Sequence, residues 1–330
     1  TFYLCLYGKT VYPISASYDH IFVTDGAHLI LSDCTEAGKV KGSSGDIAHV
    51  KNGTLSIYDV TLTGGAVVVD EGGELNLYSG EISGNTVTSG NGGAIYIKSG
   101  GTANIYGGTI RDNHVYSGNG GAIYVAAGGT LNLYGGEITG NTASGLGGGI
   151  YVEAGGRLNV KGAPIVTGNK VSGADNNVYL PTGQSIIVTD TLESGAQIGV
   201  STERKTYTPA LTIASITPDR PDTQDCAAYF FPDDPNAAVF QSGKLLALGV
   251  GPTVTLDGTT LTVRPGSLAV SGGSLFVAEY GADGRMLRAQ SLPINTAETR
   301  YRFTVQAGTS IKCFLLDDNH RPLGKALSPL

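Results

Sequence analysis

The side chains able to do chemistry in this chain recur at fixed steps. Tyr78, Tyr106 and Tyr134 lie 28 residues apart, while Tyr96, Tyr124 and Tyr151 follow at steps of 28 and 27, with Tyr179 a further 28 on. Rings aligned in this way offer a surface for sugar rings or for a protein partner, and tyrosine is enriched at binding surfaces. The plainer reading is that each ring stacks on the next to shield a sheet. Asn85, Asn113, Asn141 and Asn169 form another series, and their amides are suited to bonding one to the next and satisfying turn backbone, a structural role. Asn76, Asn104, Asn132 and Asn159 form one more, expected to point outward as a second amide ladder.

Catalytic groupings are sparse. Cleaving a glycosidic bond calls for paired carboxylates. Equivalent positions read Asp70, Lys98, Ala126, Glu153 in one series, Glu74, Thr102, Thr130, Arg157 in a second, and Glu81, Thr109, Glu137 in a third. No series puts carboxylates at successive steps. Glu81 and Glu137, two steps apart, would be separated by about 9.6 Å at ordinary strand spacing, the upper edge for an inverting pair. Arg111, Asp112 and His114 are a charged cluster confined to one copy and read as a solvated turn, and Asp233-Asp234 and Asp317-Asp318 fall outside the repeat. The five histidines show no ligand spacing, although His28 and His49 are candidates to meet across neighbouring copies. Of the four cysteines, Cys5 and Cys34 are 29 residues apart, close to one repeat, and Cys226 and Cys313 stand alone. With no Cys-x-x-Cys pair, zinc is not expected, and a Cys5–Cys34 disulfide stays open. Cys313 alternates with Ile311 and Leu315 and reads as core. The glycine turns lack the Asp of calcium-binding repeats, and no Lys follows a glycine loop at phosphate-binding spacing. No catalytic residue, metal or cofactor is assigned.

The elements that must position these residues follow from composition and repetition. Of 330 residues 50 are Gly, while 41% are hydrophobic and 15% charged. That hydrophobic share builds a core and excludes disorder. A net charge of −7 with 21 Lys+Arg argues against a nucleic-acid partner, and no apolar run reaches the roughly 20 residues of a membrane span. Gly64-Gly65-Ala66-Val67, Gly92-Gly93-Ala94-Ile95, Gly120-Gly121-Ala122-Ile123 and Gly147-Gly148-Gly149-Ile150 recur at steps of 28, 28 and 27. Each copy also holds a Leu-Asn-Leu segment (Leu75–Leu77 and equivalents) and an Ile-x-x-Asn segment (Ile82–Asn85 and equivalents). Alternation of period two marks all three as short strands. A strand of that length buries a core only if copies stack, which predicts a right-handed, single-stranded parallel β-helix with three faces per coil. Only 20 residues separate Leu55 from Leu75, as if one turn had lost a loop.

The β-helix is expected over 1–200, with 201–250 as cap, last irregular coils or linker. Residues 251–330 lose the period and read as a small antiparallel, Ig-like β-sandwich, with strands at Thr253–Leu256, Thr260–Val263, Leu268–Val270, Leu275–Tyr280, Met286–Ser291, Tyr301–Val305 and Ile311–Leu316 and Asp-Gly hairpin signals between them. No leader segment opens the chain at Thr1, so any leader or surface anchor is expected outside these residues.

The paired Gly-Gly-Ala-Ile and Ile-x-x-Asn motifs resemble those of chlamydial polymorphic outer-membrane proteins, and more closely the right-handed β-helix repeat proteins secreted by gut Firmicutes. The chlamydial second motif starts with Phe, whereas here it starts with Ile or Val. Asn177–Pro181 through Gly195–Val200 is similar to the closing segment of the Firmicutes solenoids. Ala278–Tyr280 with Gly284-Arg285, and Ile311-Lys312 with Leu316-Asp317 and Pro322-Leu323, resemble a small sandwich module of clostridial surface and carbohydrate-processing proteins. The resemblance implies a bacterial cell-surface or extracellular setting, often an adhesive role, and carries no catalytic residue. The resulting expectation is an adhesin-like protein presenting a rigid face to a glycan or host surface protein, with Tyr78, Tyr106, Tyr134, Tyr96, Tyr124 and Tyr151 as binding candidates. A polysaccharide lyase or glycoside hydrolase, or its accessory β-helix portion, and a structural spacer remain as alternatives.

Overall fold

Strands of two to six residues are individually too short to be stable and must pair. In the computed structural model, which describes residues 1–12, 21–42, 46–207, 210–217, 225–250, 253–257, 260–264, 274–293, 299–302, 304–306 and 309–316, they pair in parallel, one repeat on the next. Ile95, Ile123 and Ile150 are direct partners on neighbouring strands, as are Leu75, Ala103, Leu131 and Leu158. All seven are fully buried, each large one contributing about 1.5–3 kcal/mol of burial energy. The result is a parallel β-helix of about eight coils.

The Leu-x-Leu strands make the first face, from Phe2–Cys5 to the pairing of Ile186–Val188 with Ala214–Ile216. The Ile-x-x-Asn strands (Gly80–Ser83, Thr109–Arg111, Glu137–Thr139, Ile165–Thr167) and the Gly-Gly-Ala-Ile strands (Val67–Val69, Ile95–Ile97, Ile123–Val125, Ile150–Val152, Val178–Leu180) make the other two. These two faces belong to one continuous 16-stranded sheet. The strand Gln197–Thr202 joins them, because Ile198 pairs with Val166 while Val200 pairs with Val178. A narrow side of two-residue strands, Thr86–Val87, His114–Val115, Thr142–Ala143 and Lys170–Val171, is inserted between them. The coil carrying Leu55 runs from Thr63 through Gly64 and Gly65 straight into Ala66 without that side, which accounts for the 20-residue step. Parallel pairing continues past Val200, with Phe230–Pro232 opposite Ile198–Val200.

By contact the chain divides into two units, 1–205 with 213–234 and 243–245, and 206–212 with 235–242 and 246–330. The second contains two three-stranded antiparallel sheets, one of Thr253–Asp257, Thr260–Arg264 and Thr299–Arg302, the other of Met286–Pro293, Ser274–Tyr280 and Ser310–Leu316. Val254, Leu261 and Val263 from the first meet Leu275, Val277, Leu292, Ile311 and Cys313 from the second in one core, the small sandwich of the sequence reading. Burial pushes the Cys313 thiol up to about 11. The expected strand Leu268–Val270 lies outside the described residues.

A buried carboxylate sits at the edge of this core. At a bulge between Glu279 and Tyr280, the Glu279 side chain is fully buried and accepts from the Thr309 hydroxyl, the Gln306 N–H at 2.7 Å and the Arg288 guanidinium. The Thr309 and Gln306 hydrogen bonds, with Arg288 beside them, outweigh desolvation and hold its carboxyl below the ordinary glutamate range. A depressed folded pKa means the unfolded chain takes up the proton first, so this stabilisation is complete above the ordinary glutamate value and is lost as pH falls through the folded one. We expect the unfolding midpoint of the second unit, followed by near-ultraviolet circular dichroism, to drop as pH falls below the ordinary glutamate value of about 4.3. In Glu279→Gln that acid limb should flatten.

Candidate functional site

The outward positions of the first face alternate with its buried leucines, which brings the tyrosines into register. Tyr58, Tyr78 and Tyr106 stack with ring centroids 4.5 and 4.7 Å apart and planes within 5° and 3° of parallel. Tyr134 follows at 5.0 Å but is turned 47° out of the stack. The next coil places Lys161 there, its ammonium 4.6 Å from the Tyr134 ring centroid. Tyr78 and Tyr106 keep 38% and 43% exposure. Parallel stacking consumes the ring faces, so the column shows solvent its edges and hydroxyls. Desolvation, then neighbouring Tyr78, pushes the Tyr58 and Tyr106 phenols up.

The second column, on the Gly-Gly-Ala-Ile face, is less available than its outward placement suggested. Tyr96 meets Tyr124 edge-on at 5.3 Å, and Tyr124, Tyr151 and Tyr179 stack at 5.1 and 5.6 Å. Tyr124 and Tyr179 are each only 7% exposed, and desolvation, followed by the adjacent Glu153, drives the Tyr124 phenol far above its ordinary value. This column packs with itself, which corrects Tyr124 as an accessible contact.

Two amide ladders run along the solenoid. On the outer one, Asn104 Nδ2 donates to Asn76 Oδ1, Asn132 Nδ2 to Asn104 Oδ1 and Asn159 Nδ2 to Asn132 Oδ1, at 2.7–2.8 Å. Each donor there points to the preceding coil. The inner ladder points the other way: the Nδ2 and backbone N–H of Asn85 both donate to Asn113 Oδ1, and the same pair of bonds links Asn113 to Asn141, Asn141 to Asn169 and Asn169 to Asn177. Asn85, Asn113, Asn141 and Asn169 are wholly buried. The row ends on Asp233, which accepts from the Asn177 N–H and Nδ2 at 2.7 Å and from Ser201 Oγ at 2.8 Å. Asp233, which lies outside the repeat in sequence, thus closes the inner ladder. Desolvation raises its pKa despite these donors.

The remaining ionisable groups are dispersed. Arg111 lies on the coil between those of Glu81 and Glu137 and pairs with Glu81 at 3.0 Å and Asp112 at 2.6 Å. His114 bonds to Thr142 and meets Tyr116 edge-on. His28 and His49 do not meet, because they lie on different faces: His28 bonds to Ser56 at 2.9 Å, whereas His49 stacks beside Phe22 and reaches Asp70 at 2.8 Å. Lys98 approaches the same carboxylate at 3.3 Å. Burial opposes the ionised form of Asp70, but the bonds from His49 and Lys98 prevail and lower its pKa. Cys5 and Cys34 are exposed free thiols with sulfurs 3.9 Å apart. Among the described residues no three His, Cys, Asp or Glu side chains are grouped to hold a metal ion, and no helix is long and apolar enough to cross a membrane.

The Chlamydia polymorphic membrane protein (Chlamydia_PMP) repeat matches residues 79–98 and 136–153, each a stretch running from an Ile-x-x-Asn strand into a Gly-Gly-Ala-Ile or Gly-Gly-Gly-Ile strand. The chain is a β-helix repeat protein resembling the chlamydial polymorphic membrane proteins. No curated protein matches it. The crystal structure of an endonuclease/exonuclease/phosphatase from Beutenbergia cavernae DSM 12333 aligns at 11% identity over 28% of this chain and 36% of that one, with a TM-score of 0.16. The chain thus spans about a third of that structure, and so slight a likeness carries no argument. The matched repeat places Asn85 and Asn141 of the inner ladder, and Tyr96 and Tyr151 of the second column, inside the chlamydial-type unit.

Several residues of these arrays escape a reading by period. Tyr58 extends the first column but sits 20 residues before Tyr78, in the shortened coil. Asp33 accepts from the Thr35 hydroxyl at 2.6 Å and from the N–H groups of Gly8, Thr35, Ala37 and Gly38, which overcome its desolvation and hold its carboxyl well below the usual range. Its only sequence signal is an Asp followed by Thr two residues on, a common turn pattern.

Proposed function

We propose that this is a surface-displayed, adhesin-like repeat protein that binds glycans through the outer side of its first face. The observation that supports the reading is the column of Tyr58, Tyr78, Tyr106 and Tyr134, exposed at Tyr78 and Tyr106, beside the Asn76–Asn159 amide ladder on the same strands. Side chains one coil apart are held in register by a parallel sheet, so a ligand meets an ordered row of phenol hydroxyls and little of the ordering cost falls on binding. A surface setting agrees with the polymorphic membrane protein repeat and with the solenoid architecture. Dispersed carboxylates, with Glu81 paired to Arg111 of the next coil, favour binding over bond cleavage.

The test is binding of the full chain to an immobilised glycan array and, in parallel, to host surface proteins. The double variant Tyr78→Ala/Tyr106→Ala is expected to lose at least about tenfold in glycan affinity, consistent with truncating two interface tyrosines, while keeping its circular dichroism spectrum. Unchanged glycan binding in the variant removes the column from the site. Capture of a host protein with no glycan signal replaces the ligand class, and silence on both leaves the spacer reading.

A further inference from the structure

We infer that the end of the tyrosine column is a monosaccharide-sized subsite for a neutral, hydroxyl-rich sugar. Among the described pairings of the first face, the register shifts beside Lys161. Val160 still pairs with Val188, but Gly162 pairs with Leu192, so the strand Ile186–Leu192 bulges outward between those pairings. The bulge carries Thr189, Asp190 and Thr191 where the preceding coil has only Lys161 between the paired positions. Against it lies an open cavity of about 310 Å³ lined by Tyr134, Lys161, Gly162, Asp190, Thr191 and Glu193, at the lower end of the range for small-molecule sites.

The chemistry of the lining selects the ligand class. Tyr134 is the ring tilted 47° from its neighbour in the column, and it borders the cavity with Lys161 over its ring. Lys161 rests against that ring and makes no ion pair with Asp190 or Glu193. The Asp190 carboxylate accepts from the Thr191 N–H at 2.7 Å and keeps lone pairs to spare. A cation and two carboxylates that share one cavity without neutralising each other supply donors and acceptors at separate points, which matches hydroxyls spread around a pyranose. Two carboxylates against one ammonium, on a chain of net charge −7, disfavour an acidic sugar. The polymorphic membrane protein repeat matches stop at residue 153, so this feature lies outside the matched unit.

This inference rests on the glycan-binding reading and sharpens it. The experiment is saturation-transfer NMR on the full chain with a panel of neutral methyl glycosides (glucoside, galactoside, mannoside and N-acetylglucosaminide). Expected is transfer to at least one of them, reduced about tenfold or more in affinity by Asp190→Ala and by Lys161→Ala, as for loss of a charge-assisted hydrogen bond. Both substituted side chains lie outside the core, and a thermal melt checks that the variants are folded. If no methyl glycoside shows transfer, or if both variants bind like the wild type, the subsite is overturned. The array binding described above would in that case still stand on Tyr78 and Tyr106, whereas array silence together with methyl glycoside binding would overturn the extended-face reading alone.

Discussion

Gly121→Ala is expected to abolish folding of the central coils. A methyl group at Gly121 would lie 2.2 Å from the Gly148 carbonyl oxygen and 2.5 Å from that of Thr142. Both obstacles are backbone of the next coil, and neither can move without breaking the parallel register of Ile123 on Ile150. The penalty belongs with the rare single substitutions that exceed about 4–5 kcal/mol. Far-ultraviolet circular dichroism and limited proteolysis report it directly. Gly195→Ala is the matched control: Gly195 has a φ of +101° but no atom within 4 Å of the added carbon, so it bears only the backbone cost of about 1–2 kcal/mol. Equal loss in the two variants would mean that close coil approach at Gly121 is not what matters.

Asn141→Ala should cost about 3–5 kcal/mol, summing two stripped buried donors at about 1–3 kcal/mol each and a small cavity. The Asn141 Oδ1 accepts the Asn113 N–H at 3.0 Å and its Nδ2 at 2.8 Å, and its own amide serves Asn169 Oδ1 and the carbonyls of Ile110 and Thr139. Asn141→Asp keeps the acceptor but turns an oxygen toward Asn169 Oδ1 and two carbonyls, so it should not rescue. On the outer ladder Asn132→Ala, half-buried and able to borrow water, should cost about 1 kcal/mol or less. Urea midpoints followed by circular dichroism rank the three. Coils unfold in part-independent fashion in stacked proteins, so the midpoint is the quantity to compare. An Asn141→Ala midpoint no lower than that of Asn132→Ala would show that the inner ladder is not what secures the turn.

The fold was legible because its physics is repetitive. Ile95, Ile123 and Ile150 recur in sequence at the spacing that makes them neighbours in space, so period alone gives register, sheet order and the buried columns. The same logic locates both amide series and both tyrosine columns. It does not report exposure: Tyr124 and Tyr106 look equivalent on the page, yet one is packed between two rings and Glu153 while the other faces solvent. It is also blind where the period breaks. Tyr58 sits in the shortened coil, Asp233 reaches the ladder from 56 residues beyond Asn177, and the Thr189–Thr191 bulge has no counterpart to be compared with. In the second unit, alternation of apolar residues located five of the seven expected strands, with Tyr301–Val305 found instead at Thr299–Arg302 and Leu268–Val270 outside the described residues, and nothing in that pattern pointed to Glu279 as the buried acid.

The one-way run of inner-ladder amides has a consequence for length. Each member donates its backbone N–H and an amide hydrogen forward, while the amides of Asn113, Asn141 and Asn169 also donate back to a carbonyl of the preceding coil. The forward series needs a last acceptor, and an ionised carboxylate is such a group. Asp233 is thus a full stop, while Asn85 to Asn177 are interchangeable letters. Extra windings spliced in upstream would leave that punctuation intact, so solenoids of this type can grow or shrink in reach by whole repeats without redesigning how they end.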